Sequence, residues 1–312
     1  MGRIPYYTDD ELMSVMEQSV RFRWGHSSLA EDAIRFIQFK QTEGFPFAPL
    51  TFLHFRMWSE ETSEDLIEVC AAVELLLLAL DIQDDVEDRD APWKPWMEVG
   101  EARAMNASTA LLMLAFDIIH GTSFQAEDKE RAGHYLRSCV MNATQGQHDD
   151  LQQDFSDEAE ILEMVARKSA SLMNGACLVG MALAGVDVKE DVESYSRAFG
   201  VAAQLANDLH DVQRLDFYND LVYKKYTLPI YHLMQEDTRE ADIVRSYYNG
   251  SMKKESFLDH KEQVYNWIQT SPSIMYVKVL KRNYLLQALE RLSALEANET
   301  VKGEMWTRIE QL

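Results

Sequence analysis

The chain has 312 residues, 52 of them acidic and 30 basic, so its formal net charge is −22 and its isoelectric point is near 4.7. That balance argues against a nucleic-acid partner, because a polyanion is held by a basic stripe that displaces counterions; a cationic ligand, or an anionic one bridged by metal ions, fits it. Hydrophobic residues at 46% and charged residues at 26%, with 13 Gly and 7 Pro, exclude a disordered or fibrous chain and leave material for a sizeable core.

In chain order, Met1 to Glu11 lacks an apolar core and predicts no secretory signal, and Tyr6 stands where a myristoylation pattern needs Ser or Thr. Almost no strand-like alternation follows, and Pro and Gly gather at breaks. Helical periodicity predicts helices over Asp9 to Phe22, Leu29 to Thr42, Ser63 to Asp88, Glu98 to Ile119, Lys129 to Gln153 and Asp157 to Ala184. It continues with Lys189 to Val212, Leu228 to Gln235, Asp242 to Asn249, Glu255 to Gln269 and Ser273 to Glu296. Ser63 opens the third helix as an N-cap, and Asp90-Ala-Pro92 closes it, since the residue before a proline resists the α region. The most apolar stretches, Leu75 to Leu80 and Leu172 to Val186, fall short of the roughly 20 residues a membrane span needs, so no transmembrane segment is expected. Cys70, Cys139 and Cys177 match no zinc spacing and read as reduced core residues of a soluble, cytoplasmic protein. Without a repeat or hinge, residues 1–312 read as a single all-α domain.

The chemistry starts where the third helix ends. Asp81, Asp84, Asp85 and Asp88 fall at i, i+3, i+4 and i+7, which puts four carboxylates on one face. Like charges at that spacing repel, and a helix C-terminus already carries partial negative charge, so a cation is needed to offset them. Hard oxygen ligands with room for water and phosphate suit Mg²⁺. With 52 acids in 312 residues, a D-D-x-x-D arrangement arises by chance at roughly one position in 200, so the motif alone is weak. The apolar run Ala71 to Leu80 strengthens it, because an accidental acidic cluster sits on a solvated helix rather than a buried one.

A second cluster, Gly200 to Asp211, repeats the pattern after another apolar helical run, with Asn207, Asp208 and Asp211 on one face. Two such helix ends facing each other across a bundle would make an oxygen-lined mouth for metal ions with an apolar tunnel below. That is a site for a molecule with a diphosphate head and a hydrocarbon tail.

Asp84-Asp-Val-Glu-Asp88, Gly146-Gln-His-Asp-Asp150-Leu151, Lys168-Ser-Ala, Gly200 through Asp211, and Lys225-Tyr-Thr227-Leu-Pro229 together resemble the class I isoprenyl diphosphate synthase superfamily. They are similar, in order, to its first aspartate motif, its G-Q-x-x-D-L, its K-T, its second aspartate motif with Asn207 for the first Asp, and its K-x-T-L-P. The resemblance covers roughly residues 40 to 235. It implies an isoprenoid-synthase-type helical bundle with a central active-site cavity, and a homodimer. It further implies that Asp84, Asp88, Asn207, Asp208 and Asp211 hold up to three Mg²⁺ around an allylic isoprenyl diphosphate. Asp84, Asp85, Asp88, Lys168 and Asp208 are then the catalytic set. Lys168 and Lys225 contact the diphosphate, supported by Gln147 and Asp150, and Ala79 and Leu80, one turn before Asp84, help set the tunnel.

Departures from that pattern point to the acceptor. Chain-elongating members hold isopentenyl diphosphate with G-G-K-R-x-R-P and R-R-G; here the first segment is Glu43-Gly-Phe45-Pro-Phe47-Ala-Pro49, and no Arg pair follows Asp88. An unpaired diphosphate is costly to bury, so the donor half is kept and the isopentenyl half lost. The wording Asp81-Ile-Gln-Asp-Asp-Val-Glu-Asp88 with Gln145 to Asp150 is similar to the bacterial ComQ-type transferases, which prenylate a tryptophan of a pheromone precursor peptide in quorum sensing. That resemblance implies a peptide acceptor, which would explain an apolar, aromatic acceptor side built from Phe45, Phe47, Trp93 and Trp96, residues that otherwise read as core or lid. The competing readings are an elongating synthase, a class I terpene synthase, whose second motif would need other residues at Asp211 and Leu215, and a non-catalytic partner subunit.

Overall fold

The computed structural model describes residues 7–61, 63–89, 91–214 and 220–312. Among the described residues there is no strand, and the chain is all-α. The first helices are α1 (Asp9–Trp24), α2 (Ser28–Glu43), α3 (Ala48–Arg56), α4 (Glu64–Asp88), α5 (Pro95–Glu98) and α6 (Glu101–Gly121). They are followed by α7 (Ala126–Gln152), α8 (Glu158–Val165), a π-helical segment (Ala166–Ala170), α9 (Ser171–Leu183) and α10 (Lys189–Val212). The remainder comprises α11 (Asp220–Tyr223), α12 (Leu228–Gln235), α13 (Arg239–Tyr248), α14 (Lys254–Leu258), α15 (Lys261–Thr270), α16 (Pro272–Ala294) and α17 (Glu299–Glu310).

Contacts group the chain into two compact units. The first takes residues up to 141 with 172–196 and 291–308; the second takes 142–171, 197–290 and 309–312. In the first, α4 is the central helix: Val69 through Val73 and Leu75 through Ala79 are buried on every side, as expected of a helix that is apolar all round. Ser63 caps its start by accepting the Asp65 N–H at 3.2 Å. Its end falls at Asp88 because Arg89 adopts a left-handed conformation (φ 56°) and donates its N–H to the Asp85 carbonyl. Asp90, part of the expected Asp90-Ala-Pro92 stop, lies outside the described residues. Against α4 packs α6, through buried Ala104, Ala107, Ser108, Leu111 and Ala115. The Ser108 hydroxyl donates to the Ala79 carbonyl at 2.8 Å and accepts from Gln83 at 2.8 Å. Helix α6 is long and apolar enough to cross a membrane, with a mean hydropathy of 1.3 over 18 residues, although the expected absence of a span rested on Leu75 to Leu80 and Leu172 to Val186.

The second unit closes around Ile161, Val165, Leu205, Leu209, Leu228, Leu233, Val244 and Ile268. Several expected helices are divided. Gly100, at φ 90°, separates α5 from α6 within the stretch expected to be one helix from Glu98. The π segment interrupts the helix expected from Asp157 to Ala184, and α14 and α15 share the stretch from Glu255 to Gln269. Helix α3, an apolar stretch opened by Pro49, and the C-terminal α17 had no counterpart in the sequence reading. All three cysteines are buried and unbridged, as expected.

Candidate active site

The four aspartates of α4 lie across an arc of roughly 100°, with Asp84 at one edge and Asp85 at the other. They do not share one fate. Asp81 receives Lys40, from the end of α2, at 2.7 Å. Asp85 receives Lys94 at 2.8 Å and the Trp96 indole N–H at 2.9 Å, and is itself only 7% exposed. Glu43 lies 3.6 Å from Lys40 and 3.8 Å from Lys94, which joins the five side chains into an alternating network. Burial pushes the Asp85 carboxyl up to about 6, against the pull of Lys94 and Trp96. Burial opposes the charge of Lys40 too, but Asp81, Glu43 and Glu74 together raise it above its ordinary value. The cation that the sequence demands at this helix end is thus supplied, for Asp81 and Asp85, by Lys40 and Lys94, neither of which any local motif marks. Asp84 and Asp88 are half-buried at the end of α4, and the surface concavity of about 580 Å³ between α4 and α6 is lined by Val86, Glu87, Arg89, Glu101, Ala102 and Met105 and by neither aspartate.

Two turns earlier, fully buried Glu74 accepts the backbone N–H groups of Phe47 and Ala48 at 2.7 and 2.6 Å with one oxygen, while its other oxygen is buried without a partner. Burial drives this carboxyl up to about 7. Ala79 is fully buried and Leu80 half-buried. The four aromatics that read either as an acceptor side or as core and lid divide between those two readings. Trp96 is fully buried, edge-on to Phe36 and Phe39, and Phe45 is 5% exposed, so both belong to the core; only Trp93 is well exposed.

In the second unit the π segment does the positioning. A Cβ on Gly146 would lie 2.3 Å from the Lys168 backbone nitrogen, and one on Gly200 would lie 2.6 Å from the Ala170 Cα. Two glycines therefore let α7 and α10 approach the backbone of this segment, and such bulges are frequent at functional sites. Lys168 donates to Asp150 at 2.6 Å, and Gln204 donates to Asp208 at 2.7 Å. Asp208 is 4% exposed, and burial drives its carboxyl up to about 7; Gln204 opposes this most, Asp150 adds to it, Lys168 opposes it and Asp211 adds to it. Asp211 is half-buried with Arg214 at 3.3 Å. Asn207, by contrast, is exposed. Neighbouring helix positions differ by roughly 100°, so Asp208 turns inward, Asn207 outward, and Asp211 falls between them; the common face expected of the three is a broad arc. Gln147 is half-buried on α7. Lys225 is half-buried in the approach to α12, where its N–H donates to the Asp220 carbonyl and its carbonyl accepts the Tyr248 hydroxyl. Leu215 lies outside the described residues.

Among the described residues no three His, Cys, Asp or Glu side chains converge to hold a metal by themselves. The donors that α4 offers, two half-buried carboxylates one turn apart, are the hard, incomplete set that suits Mg²⁺ shared with a phosphate ligand.

The polyprenyl synthetase family model matches residues 39–268. The chain belongs to the polyprenyl synthetase family and is a prenyltransferase. It is 28% identical over 273 residues to the tryptophan prenyltransferase ComQ of Bacillus subtilis subsp. natto (strain BEST195), covering 87% of this chain and 84% of that protein. It is also 28% identical over 247 residues to the geranylgeranyl diphosphate synthase of Methanosarcina mazei, covering 74% and 73%. A crystal structure of geranylgeranyl pyrophosphate synthase has the same fold, with a TM-score of 0.82, 18% identity and 98% coverage of both chains.

Proposed function

We propose that this chain uses Mg²⁺ to activate an allylic isoprenyl diphosphate of geranyl or farnesyl type and transfers the prenyl group to a tryptophan of a peptide, in quorum sensing. The observation that carries the acceptor assignment is the employment of Lys40 and Lys94. Both are neutralised by Asp81, Asp85 and Glu43, and Arg89, the basic residue directly after the first aspartate motif, is paired with Glu101 at 3.2 Å. That favours an acceptor without a diphosphate of its own, and the similarity to tryptophan prenyltransferases over most of the chain agrees with it.

In this reading Asp84 and Asp88, with Asn207, Asp208 and Asp211, hold the metal, while Lys168 and Lys225 contact the diphosphate. Mg²⁺ supplies Lewis-acid stabilisation of the charge that grows on the departing diphosphate. Asp150 holds the Lys168 ammonium in place at 2.6 Å, so that its charge is preorganised toward the leaving group. Gln204 fixes Asp208 in the same way. The carbon–oxygen bond ionises, an indole carbon attacks the allylic cation, and the adduct loses a proton.

The test is incubation with Mg²⁺ and geranyl or farnesyl diphosphate, alone, with isopentenyl diphosphate, or with a Trp-containing peptide. Prenylated peptide is the expected product. Longer diphosphates would instead establish the elongating-synthase reading that the Methanosarcina mazei similarity keeps in play, and a terpene from donor alone would establish cyclisation. Lys168→Ala should cost about 10²–10³ in kcat, the scale of losing one preorganised charge contact; an unchanged kcat would remove Lys168 from the site.

A further inference from the structure

Lys94 and Trp96 enter the chain just after α4 and return to it through one carboxylate. Lys94 is the residue preceding α5, and Trp96 is inside it. Trp96 is fully buried between Phe36 and Phe39 of α2, with ring centroids at 5.6 and 5.4 Å, so its indole cannot tilt without disturbing two edge-on contacts. Its N–H and the Lys94 ammonium both reach Asp85 Oδ2, and Lys94 also lies over the Trp96 ring, 5.2 Å from its centroid. Glu43 ties the same lysine to Lys40 and so to Asp81. Asp81 and Asp85 are one helical turn apart on the side of the arc away from Asp84. Two adjacent carboxylates of a helix end are thereby fastened to α2 and α5.

We infer that Lys94 and Trp96 are positioning residues that, through Asp85, fix the rotational setting of the last turn of α4, and that Asp85 acts as a strut rather than as a metal ligand. The inference rests on the Mg²⁺ reading of Asp84 and Asp88. Its logic is that partners which orient a liganding element are worth as much to the metal as a weak ligand. A helix end frays and can rotate within its final turn, and mutual repulsion of four carboxylates would drive Asp84 and Asp88 apart. Tying the other two down removes both freedoms.

The decisive variant is Trp96→Phe, which keeps an aromatic ring beside Phe36 and Phe39 and removes the N–H donor with no change of charge, at the cost of a smaller ring in a buried site. Binding of farnesyl thiodiphosphate, which does not ionise, is followed by calorimetry as Mg²⁺ is varied. The strut predicts a Mg²⁺ half-saturation raised about tenfold, with the far-UV spectrum of a folded protein. If Asp85 were itself a ligand, release from its donor would leave metal binding equal or tighter; either result overturns the inference. Lys94→Met, which removes the other donor to Asp85, should raise the Mg²⁺ half-saturation by about the same factor, roughly tenfold; an unchanged value counts against the strut. The indole N–H resonance of ¹⁵N-labelled Trp96, assigned by its loss in Trp96→Phe, should shift when Mg²⁺ and the analogue bind together; a stationary resonance also counts against the strut. Failure of the Mg²⁺ reading looks different: the analogue would then bind the parent protein with no dependence on Mg²⁺.

Discussion

Gly146 shows how a single residue can carry a site without chemistry of its own. Any side chain there would overlap the backbone of Lys168, so Gly146→Ala must push the π segment away from α7 and move the Lys168–Asp150 pair with it. We expect a loss of about 1–3 kcal/mol, as for other overpacked sites, together with a raised KM for the isoprenyl diphosphate, read by thermal melting and steady-state kinetics. Gly303, inside α17 with open space around its Cα, is the matched control. Gly303→Ala should stabilise the protein by about 0.5–1 kcal/mol, since alanine costs less backbone entropy in a helix. The motif around Gly146 was legible in the sequence; its steric reason was not, because the close approach involves a segment some twenty residues away whose π geometry has no sequence signature.

At the scale of elements, Glu74 joins two helices by satisfying the first N–H groups of α3 from the flank of α4. Its folded pKa of about 7 lies above the ordinary 4.5, so the native state binds the extra proton between those values. Stability therefore falls as pH rises through that window, by an amount on the order of 3 kcal/mol for this group. Glu74→Gln should remove that slope, so that the melting-temperature difference between parent and variant shifts in the variant's favour from pH 4.5 to 7; a constant difference would show that Glu74 does not titrate there. Buried His54, lowered to about 4 by desolvation, acts in the opposite direction and is common to both proteins. Helix α6 offers a second element-scale test. Leu111, fully buried in unit one, should cost about 2–5 kcal/mol on truncation to Ala, whereas Met113, 61% exposed, should cost almost nothing. Equal losses would mean that the outer face of α6 is covered. The apolar face of α4 was readable from its sequence, but its partners Lys40 and Lys94 were not: 41 residues separate Lys40 from Asp81, and no local pattern links them.

For the whole molecule the dominant quantity is the net charge of −22. Surface acids repel one another across distances that salt screens, with a Debye length of about 10 Å at 0.1 M. The melting temperature should accordingly rise between 0.02 and 0.2 M NaCl; a fall would show that the ion-pair networks outweigh the self-repulsion. The sequence by itself determined the helical class, the five motifs in order and the missing basic residues, because periodicity, capping and short motifs are local in the chain. Only the tertiary structure decided which carboxylates are neutralised, which aromatics are core and which glycines admit a neighbouring backbone. Those outcomes depend on contacts between residues distant in sequence, where burial sets the cost of a charge and steric overlap sets the room for a side chain.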